Sequence, residues 1–215
     1  MPSFKYMVLA ILTLIAFGTT AHAQDTSRWF VHAGPALAAP EESSKVWAGG
    51  APVPGGSVSI DHEWTFAGEL GYFVTPHVAV SVAAGLPPTF EVMGAGSLAG
   101  LGKAGEMTGG PAGLMVQYHF NPTGRIRPYV GAGAAFLVVF GTKDGIMTDL
   151  RAKSAVGTAL QAGSDVMLND RWGMFIDVKQ AWVGTIATGT LGPAPVSAKV
   201  KIDPFITNFG VTYRF

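Results

Sequence analysis

Five charged side chains fall on the same face of the alternating segments that make up most of this sequence. They are Glu69, Asp165, Asp177, Lys179 and Arg214. An isolated charge is costly away from water, so opposite charges on an enclosed face are expected to pair with one another. The pattern predicts an internal ion-pair network, with handling of a ligand or a proton by the same residues as the alternative.

Other kinds of chemistry find little support. No two histidines share a strand face with a carboxylate at the spacing of metal ligands, so we expect no metal site. Ser59, Asp61 and His62 are close in sequence, but adjacent strand residues point to opposite faces, and we predict no catalytic residues and no enzyme activity. The chain has no cysteine, which excludes disulfides and thiolate chemistry. We expect no cofactor.

The elements that would position these charges are strands, and the last one is the clearest. Between Phe205 and Phe215, alternate residues are mostly aromatic or apolar, and the residues between them are mostly small or polar. A strand sends successive side chains to opposite faces, so one face is apolar and the other polar. This is expected where one face meets lipid and the other a lumen, and also in a soluble sandwich strand with its apolar face on a core.

The N-terminus and the composition favour a membrane barrel. Lys5, the apolar run 6–17 and the Ala21-His22-Ala23 ending are typical of a secretory signal, so we expect a signal peptide at 1–23 and a single mature domain at 24–215. Hydrophobic residues make up 48% of the chain and charged residues 13%, without a later apolar run long enough for a spanning helix. The mature chain has a net charge of about −1 and no basic tract, so nucleic acid is not an expected partner.

Eight alternating segments can be assigned, and they predict an all-β fold, an antiparallel transmembrane β-barrel. The segments are 29–37, 58–74, 78–86, 111–120, 127–140, 154–168, 172–182 and the final strand ending at 215. Long loops (38–57, 87–110, 141–153 and 184–198) alternate with short turns, as expected for extracellular loops and periplasmic turns. Residues 146–151 suggest a helical turn. In the fifth strand, Tyr129 and Leu137 are assigned to one face and Phe136 to the other. A soluble lipocalin-type barrel is the alternative fold, but it would place its charges outside.

The sequence also resembles the outer membrane protein W (OmpW) family of small eight-stranded barrels. The resemblance is carried by Arg127-Pro128-Tyr129-Val130-Gly131-Ala132-Gly133, by Lys201-Ile202-Asp203-Pro204 and by the Tyr213-Arg214-Phe215 end. Gly71-Tyr72-Phe73, Leu86-Pro87 and Gln117-Tyr118-His119-Phe120 support it. The resemblance implies a narrow barrel in the cell outer membrane with a hydrophobic passage for small apolar solutes. It also implies that Tyr213 and Phe215 form the signal read by the barrel-assembly machinery.

The resemblance further implies a constriction, at positions matched here by Ala83 and Lys179. Neither has a large apolar side chain, so the family's hydrophobic gate is in question, and Met115, Phe136 and Phe175 are the inward residues expected to narrow the lumen. Pro35 and Pro40 interrupt the first strand and suggest a lateral gap in the wall, or simply the start of a loop. The predicted function is passage or binding of small hydrophobic molecules, with lateral release into the bilayer as a hypothesis. The alternative is a non-transporting surface barrel with an adhesion, stress-resistance or receptor role.

Overall fold

The computed structural model describes residues 28–41 and 43–215, so the predicted signal peptide lies outside the described residues. The chain forms a barrel wall from eight strands and extends it with seven more. The wall strands are β1 (Trp29–Ala39), β5 (Glu63–Phe73), β6 (Val78–Gly85), β8 (Lys103–His119), β9 (Ile126–Asp144), β11 (Ala155–Met167), β12 (Trp172–Trp182) and β15 (Phe205–Arg214). The additional strands are β2 (Ser43–Ala48), β3 (Ala51–Pro52), β4 (Gly56–Ile60), β7 (Thr89–Gly96), β10 (Thr148–Ala152), β13 (Gly184–Leu191) and β14 (Ala194–Lys201).

The wall closes on itself through antiparallel pairs in the order β1-β5-β6-β8-β9-β11-β12-β15 and back to β1. The first residue of β1 and the last residue of the chain complete the closure. The Trp29 N–H donates to the Phe215 carbonyl at 3.3 Å, and the Phe215 N–H donates to the Trp29 carbonyl at 3.1 Å. The predicted eight-stranded antiparallel barrel is therefore confirmed.

Three short turns, at 74–77, 120–125 and 168–171, lie at the same end of the barrel as the start of β1 and the end of β15. We call this the short-turn end, and the opposite end the long-hairpin end. Within the described ranges, no helix has the length and hydropathy needed to cross a bilayer. A three-residue 3-10 turn at Ala99–Leu101 is the helical segment that these ranges contain.

The predicted long loops are largely strands, which corrects the sequence assignment. The predicted second strand is broken at Asp61-His62, so β4 leaves the wall and pairs with β7 instead of continuing β5. The region predicted as a helical turn holds β10, which pairs with β13. These segments are rich in glycine, and apolar and polar residues alternate only weakly in them. The alternation is weak because neither face of these strands meets lipid; both contact protein or solvent. Their strands were therefore missed.

The additional strands extend the wall beyond the membrane-facing part as two sheets. The five-stranded sheet has the order β10-β13-β14-β2-β3, and β4 and β7 add to the edge of β8. A hydrophobic core fills the space between them, built from buried residues that include Val46, Phe90, Met107, Val200 and Ile202. This core makes the long-hairpin end a packed structure rather than a set of free loops.

The outer surface of the wall is an apolar band. In β12, Trp172, Met174 and Ile176 are exposed, whereas the residues between them are buried. The last strand follows the same rule, with Phe205, Phe209, Val211 and Phe215 exposed. A barrel with apolar side chains outside and charges inside is suited to lipid and not to water.

Candidate functional site

The short-turn half of the barrel interior is filled by an aromatic cluster. Its members are Phe30, His32, Phe73, His119, Tyr129 and Phe175, all buried. The His32 ring stacks on Phe175 with centroids 4.3 Å apart and planes 9° apart, and His119 stacks on Tyr129 at 4.9 Å. Glycine makes this packing possible: a Cβ at Gly71 would overlap the Phe30 ring, and one at Gly163 would meet Tyr129 and Asp177 at 2.6 Å. No room for a water-filled pore is left in this half.

A polar floor lies next to the aromatic cluster, formed by Glu69, Gln117, Gln161, Asp177 and Lys179. The Lys179 ammonium lies 3.1 Å from a Glu69 carboxylate oxygen and 2.8 Å from an Asp177 carboxylate oxygen. Gln117 donates an N–H to Glu69, and Gln161 donates to Asp177 at 2.9 Å. The two carboxylates thus receive a shared cation and amide donors in a site almost closed to solvent.

A second ion pair lies nearer the short-turn end. Arg214 Nη2 lies 3.2 Å from a carboxylate oxygen of Asp165, and the other oxygen of that carboxylate lies 3.0 Å from His32 Nε2. The Arg214 guanidinium also lies over the Phe73 ring, 4.9 Å from its centroid. The structure therefore brings the five predicted network charges into two adjacent groups, linked through His32 and Tyr129. The Tyr129 hydroxyl donates to Asp177 at 3.2 Å.

One group of side chains has the composition of a metal site. His32, Glu69 and Asp177 each offer a ligand atom, and these atoms lie within 4.8 Å of one another. The Lys179 ammonium already contacts both carboxylates. A metal ion could bind these three residues only by displacing that ammonium, so the arrangement fits a salt bridge better than a metal centre.

The long-hairpin half holds an apolar chamber made of two adjoining cavities. The larger has a volume of about 110 Å³, lies between the two extension sheets and is lined by residues such as Val46, Leu98, Met107, Leu150 and Val200. The smaller, about 50 Å³, lies at the mouth of the barrel. Ile60, Met107 and Ile202 border both cavities, which therefore adjoin, and we refer to the two together as the chamber.

The two threonines that line the larger cavity turn their hydroxyls away from it. Thr185 Oγ1 donates to the Lys153 carbonyl, and Thr142 Oγ1 donates to the Leu150 carbonyl. Their methyl groups are left to line the chamber, whose wall offers no hydrogen-bonding group to a solute. Such a cavity favours molecules without polar groups, because any donor or acceptor brought into it would lose its bonds to water.

Small residues separate the chamber from the polar floor. Met115 is fully buried and packs in a cluster with Ala135, Ala159 and Ala181, and two of these alanines, Ala135 and Ala181, also border the smaller cavity. Ala83 points inward beside its strand partner Glu69. Of the predicted lumen residues, Ala83, Met115, Phe175 and Lys179 therefore lie inside, with Phe175 in the aromatic cluster and Lys179 in the floor.

The assignment of Phe136 to the lumen is corrected. Phe136 pairs with Val156, which is 70% exposed on the outer surface, and directly paired strand residues share a face. The phase of the fifth strand was inverted: Tyr129, expected outside, is buried in the aromatic cluster, and Phe136 lies on the outer phase while still bordering the smaller cavity. Glycine and alanine fill 131–135, so that stretch carries no hydrophobic alternation from which to read the phase.

Pro35 does not open the wall. Ala33 pairs with Val211 and Ala36 with Asn208, so β1 and β15 keep one register on both sides of the proline. A Cβ at Gly34 would meet the backbone of Phe209 and Gly210, which shows that the two strands touch there. Pro35 withholds one ladder donor without a gap, so this part of the prediction is wrong.

Pro40 lies at an interruption of the wall. The β1–β15 ladder ends at Ala39 and Phe205, and the next ladder, between β2 and β14, resumes at Ser43 and Lys201. Among the described residues, no ladder pair joins 40–41 to 202–204, and Asp203 adopts a φ of 35°. We call these two segments the seam window. Pro40, Ile202 and Pro204 in this window border the smaller cavity.

The two residues of the expected assembly signal lie on the outer face at the short-turn end. Tyr213 packs against Trp172, with ring centroids 4.5 Å apart, and against Phe215 at 5.6 Å. Phe215 is exposed. Sequence reasoning did not identify Gln117, Gln161 and Tyr129 as partners of the floor carboxylates. The alternation of their strands placed the two glutamines on the inner face, but no pattern in the sequence placed Tyr129 there.

Several known proteins resemble this chain in sequence or in fold. The model of the OmpW family matches residues 26–215. Outer membrane protein AlkL of Ectopseudomonas oleovorans is 36% identical over 175 residues, covering 81% of this chain and 76% of the relative. The dibenzothiophene metabolism operon protein PahQ of Pseudomonas aeruginosa is 30% identical over 211 residues, with 98% and 99% covered. The crystal structure of outer membrane protein OprG from Pseudomonas aeruginosa shares the fold, with a TM-score of 0.83, 22% identity and coverage of 88% and 96%.

Proposed function

This outer-membrane chain belongs to the OmpW family, and we propose that it admits small, wholly apolar molecules from outside the cell and releases them sideways into the membrane. Outer-membrane barrels have short periplasmic turns and longer extracellular loops. The long-hairpin end of this barrel is therefore extracellular, and the short-turn end is periplasmic. The observation that carries the proposal is the apolar chamber at the extracellular end, whose threonine hydroxyls are turned onto backbone carbonyls.

The chamber supplies a favourable binding step. Moving apolar surface out of water stabilises a solute by about 0.8 kcal/mol for each CH₂ group. A cavity without polar groups selects against alcohols, acids and sugars, because their hydrogen bonds to water would be lost without replacement. The extracellular extension sheets therefore act as a receptor for apolar solutes, ahead of the barrel itself.

The polar floor argues against a straight route to the periplasm. A solute leaving the chamber downward would have to separate Lys179 from Glu69 and Asp177 and then pass the stacked rings of the aromatic cluster. Separating buried charges without replacing their partners costs several kcal/mol. An apolar molecule has no group that could replace them.

The seam window is the exit that we propose. Here, two segments of the wall face each other between two ladders, and Pro40 and Pro204 supply no N–H to bridge them. The window borders the smaller cavity and lies above Phe205, the first exposed apolar residue of the last strand. A solute moving through it would pass from an apolar cavity to the hydrocarbon of the outer leaflet.

The relatives support an apolar solute. PahQ is named as a protein of a dibenzothiophene metabolism operon. Dibenzothiophene is a flat aromatic molecule without a hydrogen-bond donor, the kind of solute that the chamber would accept. This likeness supports the solute class.

Uptake of an apolar fluorescent dye by cells that contain equal amounts of folded barrel tests the passage. Ala135→Trp places an indole in the smaller cavity, whereas Ala132→Trp places it on the lipid-facing side of the same strand. We expect the first variant to reduce the rate of uptake at least tenfold and the second to leave it unchanged. Equal uptake by both variants would contradict the proposal and favour a non-transporting surface barrel.

A second pair of variants tests the exit separately. Pro40→Trp fills the seam window, and Pro35→Trp places the same side chain where β1 and β15 remain in register. We expect slow uptake for Pro40→Trp and normal uptake for Pro35→Trp. If Ala135→Trp blocks uptake but Pro40→Trp does not, the passage stands and the sideways exit at this seam is wrong.

A further inference from the structure

The outer face of the five-stranded sheet is strongly basic. Four exposed cations lie in its strands, Lys45, Arg151, Lys199 and Lys201, and a fifth, Lys153, follows β10 and donates its backbone N–H to the Ile186 carbonyl of β13. Their neighbours toward the inside, such as Val46, Ala198 and Val200, belong to the buried core, so the basic side chains point away from it. Among the strands of this sheet, the sole acidic residue is Asp149, in β10 on the side of Arg151 away from the lysines.

The cations on this face lie close to one another, and among the described residues none of them forms an ion pair, although Glu41 is exposed two residues before β2. Lys199 pairs directly with Lys45, and Lys201 lies on the same face one step further along β14. Like charges directly opposite each other in a sheet are destabilising. None of the ion pairs found among the described residues involves these lysines, and Asp203, which follows Lys201 closely, accepts the Val183 N–H with its carboxylate.

The other extension sheet does not share this feature. Lys103 lies 2.6 Å from Glu91 and 2.7 Å from Glu106, and Lys143 lies 3.5 Å from Glu106. Among the residues that the structure describes, basic side chains at this end of the molecule are thus ion-paired on one sheet and form no ion pair on the other. This difference indicates that the anion for the basic face comes from outside the chain.

The basic face continues the lipid-facing surface of the barrel. β12 leads into β13, and β14 leads into β15, each through a break of one to three residues. Trp182 and Phe205 are exposed at the top of the apolar band, and Lys201 precedes Phe205 by four residues. At about 3.3 Å per residue, the backbone of Lys201 lies within roughly 13 Å of the backbone of Phe205, which places it just beyond the apolar band, on the headgroup side.

We propose that this face binds the phosphate groups of the glycolipid that makes up the outer leaflet of the membrane. Phosphate is the anion present at that height, and clustered ammonium groups bind it as point charges. The lipid would neutralise the opposed lysines and anchor the five-stranded sheet beside the bilayer. This assignment is independent of solute passage, because its residues point away from the chamber.

The test measures binding of lipid A to the folded full barrel in detergent. The variant Lys45→Gln with Lys199→Gln and Lys201→Gln removes the central charges, and Lys103→Gln with Lys143→Gln is the matched control on the other sheet. Each cation near an anionic surface contributes about fivefold in affinity, so three together predict a loss on the order of a hundredfold. We expect no loss for the control and weaker binding of wild type to dephosphorylated lipid A.

Three results would overturn the proposal. The first is that the triple variant binds lipid A as tightly as wild type does. The second is that wild type binds dephosphorylated lipid A as tightly as lipid A. The third is that inorganic phosphate alone binds as tightly as lipid A. The last result would point to a free anion rather than a headgroup. Retention of dye uptake by the triple variant, together with its heat-dependent shift on gels, shows that the barrel is still folded when lipid binding is lost.

Discussion

Replacing Lys179 with methionine should destabilise the barrel strongly, because one side chain compensates two buried carboxylates. The Lys179 side chain is 12% exposed, and those of Glu69 and Asp177 are 1% and 0% exposed. With an effective dielectric constant of 20, each contact at about 3 Å corresponds to roughly 5 kcal/mol of attraction. The cost of removing the charges from water offsets part of this attraction. The loss expected on removing the cation alone is therefore about 3–5 kcal/mol.

The measurement is the urea dependence of folding into lipid vesicles, followed by tryptophan fluorescence. Lys143→Met is the matched control, because that side chain is 75% exposed, and its expected effect is within about 0.5 kcal/mol. The decisive variant combines Lys179→Met with Glu69→Gln and Asp177→Asn. It removes the unpaired charges while keeping acceptors for Gln117 and Gln161, and it should recover most of the lost stability.

Two outcomes would refute this account of the polar floor. The first is that Lys179→Met unfolds at the same urea concentration as wild type, which would mean that solvent reaches the carboxylates and screens them. The second is that the combined variant is less stable than Lys179→Met. That result would mean that the lysine contributes by packing and not by charge.

Two further predictions concern packing and pH. Gly71→Ala should lower the free energy of unfolding by about 1–3 kcal/mol, because the added methyl group would overlap the buried Phe30 ring. Gly100→Ala is the control and should be near neutral, because the space around Gly100 is open. Equal effects of the two substitutions in urea titrations would contradict the packing argument. The hydrogen bond from the Lys103 ammonium holds the pKa of Glu106 below its ordinary value of 4.5, so its stabilising contribution is present above that value and lost as the pH falls through the lower folded-state pKa. Hydrogen exchange in the β7–β8 hairpin should therefore accelerate, relative to Glu106→Gln, as the pH falls below 4.5, and the same pH profile in both proteins would exclude this ion pair as the cause.

The wall strands could be predicted because a membrane barrel imposes a local rule on the sequence. Each wall residue faces either lipid or lumen, so period-two alternation is readable wherever large side chains mark it, as in β12 and β15. The rule fails at 131–135, where glycine and alanine leave no contrast between the faces. There the phase was inverted, and Phe136 and Tyr129 exchanged sides.

The extracellular sheets escaped prediction for a related reason. β2 pairs with β14, β4 with β7 and β10 with β13, strands that are well separated in sequence, so these short, glycine-rich segments could be read as loops. Their pairing creates the apolar chamber, which no local pattern indicates. Likewise, the orientation of the Thr142 and Thr185 hydroxyls depends on carbonyls contributed by other segments.

The sequence by itself determined an alternating β-barrel chain, the inward position of its five charges and the apolar character of its final strand. These follow from each residue and its near neighbours. The tertiary structure decided which charges share a cation, how the aromatic rings fill the periplasmic half, and where the wall is interrupted. Each of these depends on side chains brought together by closing a ring of strands, such as Glu69 with Lys179 or Pro40 with Pro204, whose distance in space is not encoded in their separation along the chain.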